Sequence, residues 1–211
     1  MFGLNAMSYG SMSNDNGLFG ISSEQYRQLV ADDPANQNVI KRAVGGAEFI
    51  RGIVRRSVYV SDAASLSATQ KDTFRGVFEG VRAYRAASNR EATRKLSKEP
   101  MLFAERRHVQ KRKLFVPQVL SERREYVTAG ILGPDDLVIA PHMQVIEGEL
   151  FEFSILSSKM HHVWVATVCG RLKSDIRYSN SLGWNTFPIP QLTRKNRDDL
   201  SRRAEEILLA R

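Results

Sequence analysis

Four short β-like runs crowd the stretch from Lys113 to Ile146: LFVPQVL (114–120), YVTAGIL (126–132), DLVIA (136–140) and HMQVI (142–146). Gly130 and Gly133-Pro134 punctuate them. Helical patterns lie on both sides. Phe74, Val77, Phe78, Val81 and Tyr84 fall at helical spacing within 68–88, and residues 150–168 are apolar on most sides. Strands grouped between helices, without regular βα alternation, predict an α+β fold. At 211 residues the chain has room for one ordinary domain, or one domain with a small appendage.

Local signals fill in the rest. Residues 1–20 lack periodicity and read as loop. Ser22-Ser23-Glu24-Gln25 has capping-box form and predicts a helix over 23–32. Pro34 predicts the first turn of another helix, ended by Gly45-Gly46. VRRSVYV (54–60) reads as a strand. Residues 68–88 and 150–168 each read as one helix, the second buried and too apolar to face a polar partner. Pro117 predicts that the first β-like run is an edge or bulged strand. Phe187-Pro188-Ile189-Pro190 is a rigid connector, after which Thr193 caps a last helix.

The charge is uneven. The chain carries 31 Lys and Arg against 23 Asp and Glu, a net of +8. Between Arg82 and Arg124 stand thirteen basic and four acidic residues, so this segment holds the whole excess. That is the footprint of a phosphate-binding surface, or else of a solvated helix face. No apolar run reaches the ~18 residues of a membrane span. The N-terminus has no signal-peptide form, so the expected location is cytoplasmic.

Catalytic motifs are missing. There is no Walker loop, no G-x-G-x-x-G and no metal-nuclease spacing. His161 and His162 are adjacent on a predicted helix and point about 100° apart, which suits a core role better than a shared ion. The single cysteine, Cys169, reads as a buried small hydrophobe. Two segments suit recognition instead. Ser121-Glu122-Arg123-Arg124 sits between strand-like runs, and residues 170–180 pack Arg171, Lys173 and Arg177 among hydroxyls and an amide. The latter could equally be a polar loop held by its own hydrogen bonds.

Several segments resemble one family. Tyr9–Asp15 is similar to a G-S-M-P-N-D-G-G segment, and Phe49-Ile50-Arg51-Gly52 to F-I-N-G. Arg82–Ser88 resembles V-R-x-x-R-x-x-S, and Ser121–Tyr126 resembles S-S-E-R-R-E-Y. Ser157–Asn180 resembles S-S-x-M-H-x-x-W-V followed by C-G-R-L-K-S-D-x-R-Y-S, and Asn185–Pro188 resembles N-x-F-P-W-P. These are features of the target-recognition and C-terminal regions of MmeI-like DNA methyltransferases, single-chain restriction-modification enzymes. The resemblance implies an irregular target-recognition domain over 1–190 and the start of a C-terminal helical region over 191–211. It also implies a longer enzyme with S-adenosylmethionine and Mg²⁺. The chain would be that enzyme's recognition part, with the methyltransferase domain in cis or on a separate chain. No N-P-P motif occurs here, and no cofactor is expected in this chain, so it is predicted to be non-catalytic alone.

The predicted partner is double-stranded DNA. Backbone contacts are expected from Arg82, Arg85, Arg90, Arg94, Arg106, Arg107, Lys111, Arg112, Lys113, Arg123 and Arg124. Gln118, His142 and Gln144 are the candidates for reading bases in the major groove. No metal ligand is expected. The alternative is an RNA-binding or ribosome-associated basic protein, which would show exposed aromatic side chains for stacking.

Overall fold

The structure is a computed structural model that describes residues 4–140 and 142–210. The chain folds into two compact units, and neither is a continuous segment. One is Ser11–His108 with Asp135–Pro141; the other is Met1–Gly10, Val109–Pro134 and His142–Arg211. The architecture is α+β, as the pattern predicts, with three small sheets among helices. Among the described residues no helix is long and apolar enough to cross a membrane.

The unit containing 11–108 begins with β2 (Gly20–Ile21) and α1 (Ser23–Asp32). The Ser22/Gln25 capping box forms as expected. Pro34 opens only a 3₁₀ turn, Pro34–Asn38. The helix expected after it is instead β3 (Ile40–Val44), whose Ile40, Ala43 and Val44 are buried. Gly45-Gly46 therefore does not end a helix but starts one, α2 (Gly46–Arg51), which Gly52 closes at φ +65°. The predicted strand at 54–60 is β4 (Arg55–Val58). β3 pairs antiparallel with β4 and parallel with β8 (Leu137–Val138), giving the order β2-β4-β3-β8. The helix expected at 68–88 is two, α3 (Ala68–Thr73) and α4 (Arg75–Ala86), because Phe74 leaves helical geometry at φ −98°, ψ 11°. Its ring is buried, so packing wins over helix continuity there. α5 (Glu91–Lys95) follows. Phe19, Val58, Phe74, Val81, Phe103 and Leu137 are central to this core.

The second unit carries a four-stranded sheet: β1 (Ser8–Tyr9), β9 (Met143–Glu147), β5 (Lys113–Pro117) and β7 (Gly130–Leu132), in that order. β5 is central, not an edge. Pro117 is tolerated because it is the last residue of the strand, opposite Met143. β1 and β2 also correct the reading of 1–20 as loop, whose first three residues lie outside the described ones. A three-stranded sheet joins β10 (Gly170–Leu172), β11 (Asp175–Arg177) and β6 (Val119–Leu120). The apolar stretch 150–168 is two helices, α6 (Leu150–Leu156) and α7 (Lys159–Val168). Ser158 separates them by capping α7 through the His161 N–H. It is not buried on every side, since Met160 and Val163 face solvent. Residues 191–211 hold α8 (Arg194–Leu209), capped by Thr193 as expected. α8 lies against α6, with Ala204 buried and the Arg197 guanidinium 4.5 Å from the Phe151 ring centre.

Candidate nucleic-acid interface

In the unit containing 11–108, Arg82, Arg90, Arg94, Arg106 and Arg107 are exposed. Arg94 turns back to donate to the Ser88 carbonyl at 2.9 Å, and Arg107 pairs with Glu105. Arg85 is different: it is fully buried. Its guanidinium donates to five carbonyls, those of Ser13, Asn14, Leu96, Glu99 and Leu102, at 2.7–3.2 Å. Five fixed N–H donors suit this task as no lysine could. Burial lowers its pKa and the nearby Asp15 carboxylate opposes the shift. The sequence carried the signal, because positions 78, 81 and 85 share one helical face and the first two are apolar. Arg85 therefore ties the loop at 13–14 to the connector at 96–102 and has no donor left for a phosphate.

In the other unit two further expected residues are interior. Lys113 is 1% exposed and donates through Nζ to the Pro134 carbonyl at 2.9 Å. Gln144 is fully buried on β9 and donates to the Tyr178 carbonyl at 2.7 Å. Both lie on strands buried along four of their five residues, so alternation could not mark an outward face. Lys111 and Arg112 are exposed but paired, with Glu147 at 2.6 Å and Glu149 at 2.7 Å. These acids are 36 and 37 residues downstream, and β5–β9 pairing brings them alongside. Gln118 is half-buried. Its backbone N–H donates to the His142 carbonyl and its own carbonyl accepts from the Tyr178 N–H, both at 2.8 Å. His142 itself is exposed.

Arg123 and Arg124 are exposed in a turn that Ser121 stabilises. The same sheet carries the β10–β11 hairpin, which the sequence marks as a segment without assigning its residues. All three residues of β10 are exposed, as are Lys173 and Arg177. The hairpin is anchored by Ile176, which is 2% exposed and paired with Leu120. Among the described residues no ion pair neutralises Arg123, Arg124, Arg171, Lys173 or Arg177. Of the described aromatic residues, Tyr84 and Tyr126 are the most exposed, at 41% and 51%.

Beneath this surface His161 is fully buried. Its Nε2 lies 3.0 Å from the Tyr178 hydroxyl, and its ring meets Phe187 and Trp184 edge to face. Burial, helped by the neighbouring His162, lowers its pKa to about 3. This is the core role expected of it. Cys169 is also buried, and burial raises its thiol pKa.

The chain matches the family described as MmeI, target recognition domain, over residues 1–191, and it belongs to that family. It is 30% identical over 200 residues to DNA methyltransferase A of Bacillus subtilis (strain 168), covering 95% of this chain and 23% of that protein. Its fold is similar to that of the Type IIL restriction-modification enzyme MmeI, solved in complex with DNA, at a TM-score of 0.85 and 29% identity. That likeness covers 98% of this chain and 28% of the MmeI chain. The chain thus spans about a quarter of the length of these relatives.

Proposed function

We propose that this chain recognises a specific sequence in duplex DNA on behalf of an adenine methyltransferase and restriction enzyme. The observation that carries the reading is the group of uncompensated cations on the β10–β11 hairpin and the adjoining Ser121–Arg124 turn, in a chain that belongs to a target-recognition family. Uncompensated Arg and Lys release counterions from phosphate on binding, which is the sequence-independent part of affinity. Arg123 and Arg124 serve there, and in the other unit Arg82, Arg90, Arg94 and Arg106 are the exposed candidates for the same role. Arg85, Lys113 and Gln144 are excluded by burial. Lys111, Arg112 and Arg107 join only if DNA displaces their carboxylate partners. Gln118 and His142 are the base-reading candidates that remain.

Recognition would hold the duplex so that the target adenine can leave the stack for chemistry elsewhere in a longer enzyme. S-adenosylmethionine, the methyl donor, and Mg²⁺, for strand cleavage, are assigned to that remainder. Among the described residues no group of three or more His, Cys, Asp or Glu is placed to hold a metal ion. The isolated chain should neither methylate nor cut DNA, and calorimetry should show no S-adenosylmethionine binding.

The test is selection of duplexes from a randomised pool by the isolated chain. Enrichment of one site, with weaker binding to every single-base variant of it, is the expected result. Equal affinity for all duplexes, or tighter binding to single-stranded RNA, would overturn the reading.

A further inference from the structure

Gln144 is a polar side chain on an apolar face. It shares one face of β9 with Ile146 and pairs in register with Val116 of β5, and both of those residues belong to the hydrocarbon core of this unit. Its amide is only half satisfied. Nε2 donates to the Tyr178 carbonyl at 2.7 Å, while Oε1 is buried with no hydrogen-bond partner among the described residues. An unpaired buried acceptor costs stability, so packing alone does not explain a glutamine where a methionine would fill the same length.

The bond it does make closes a ring. The Tyr178 N–H donates to the Gln118 carbonyl, and the Gln118 N–H donates to the His142 carbonyl, both at 2.8 Å. The backbone from His142 to Gln144 completes the circuit. The ring lies where the two sheets of this unit join. Gln118 is the residue between β5, of the four-stranded sheet, and β6, of the three-stranded one; His142 precedes β9, and Tyr178 follows β11. Element ends fray most readily, and here three of them are tied to one another.

Two members of the ring, Gln118 and His142, are the base-reading candidates. A hydrogen bond to a base edge weakens steeply away from its best distance and angle. Whatever fixes the backbone of a reader therefore governs how sharply it discriminates. Resting on the reading of Gln118 and His142 as base readers, we infer that Gln144 is a positioning residue for specificity: buried away from DNA, it holds the backbone of both readers in place through Tyr178.

The test scores the whole 211-residue chain on its selected duplex and on every single-base variant of that duplex, with thermal melting alongside. The base pairs that matter are those at which Gln118→Ala or His142→Ala loses discrimination. Gln144→Met keeps the side-chain length; it removes one unpaired acceptor, Oε1, and leaves another, the Tyr178 carbonyl. It should melt within about 4 °C of wild type. Its salt slope should be unchanged, because no charge is altered. Its discrimination at those base pairs should fall about tenfold. His161→Phe is the converse control, since it takes the partner from the Tyr178 hydroxyl and no bond from the ring. It should melt lower than wild type and discriminate as well. The inference is overturned if Gln144→Met discriminates like wild type or weakens all duplexes alike. It is also overturned if His161→Phe blurs the same base pairs, because specificity would then merely follow stability. If neither alanine variant changes any base pair, the assignment of the readers fails and takes the inference with it; if wild type selects no duplex at all, it is the DNA-binding reading that fails.

Discussion

The segment from Arg82 to Lys113 and the surface formed by Arg123, Arg124 and the β10–β11 hairpin are both rich in cations, but they use them differently. In the first, Arg85 and Lys113 are buried on protein carbonyls. Lys95, Arg107, Lys111 and Arg112 are paired with Glu91, Glu105, Glu147 and Glu149. In the second, Arg123, Arg124, Arg171, Lys173 and Arg177 have no carboxylate partner among the described residues. Charge counted along a sequence is therefore not charge available to a ligand. Tertiary pairing redistributes it, and the region with the larger formal excess keeps the smaller share of it free.

The largest effect that could break this comparison is at Arg85. Arg85→Ala should destabilise the protein by about 4 kcal/mol or more, because several buried carbonyls lose their donor at once. Arg85→Lys should recover little of it, since an ammonium cannot reach five acceptors. Chemical denaturation measures both. A loss below about 1 kcal/mol with unchanged structure would mean that Arg85 is not committed to the fold.

Gln118 and His142 sharpen the comparison from the other side. Each, changed to Ala, should cost about 1–3 kcal/mol of discrimination at one base pair, with other positions unaffected. Binding to the full set of single-base variants of the selected site is the readout. A uniform loss would move the residue to the backbone-contact class.

A pH-dependent effect concerns the interior under the cation-rich surface. His161 has a folded pKa of about 3 against 6.5 when unfolded. Below about pH 6.5 the unfolded chain takes up a proton that the folded one refuses, so stability falls as pH falls, until about pH 3. The slope from this group is about 1.4 kcal/mol per pH unit. His161→Phe should flatten that limb in denaturation profiles taken from about pH 7 to about pH 4. An equally steep limb in the variant would assign the acid sensitivity elsewhere.

Much of this fold is legible from local chemistry. Ser22, Ser158 and Thr193 cap helices through their own side chains, though only Ser22 and Thr193 stand out as caps in the sequence. The α+β grouping follows from strand-like runs lying between helical stripes. The elements that depart from expectation are decided by distant partners. β3 is a strand because β4 and β8 flank it, and Phe74 breaks a helix because its ring belongs in the core. The site is legible as chemistry but not as geometry. Lys113 and Gln144 sit on buried strands where polarity suggests a surface, and Lys111 and Arg112 find acids 36 and 37 residues away. Arg85 is the exception, since its helical spacing from Phe78 and Val81 already places it on the buried face.

The central claim, that free rather than formal charge marks the DNA-binding surface, is tested most directly by salt dependence. Two double variants remove the same charge: Arg123→Ala with Arg124→Ala, and Lys111→Ala with Arg112→Ala. On a selected duplex, the first should lower the log–log salt slope by up to about 1.8, at about 0.9 for each phosphate no longer neutralised. The second should change it by well under half as much, because Glu147 and Glu149 already neutralise those cations. Equal changes in the two variants, or a larger one in the second, would contradict the account.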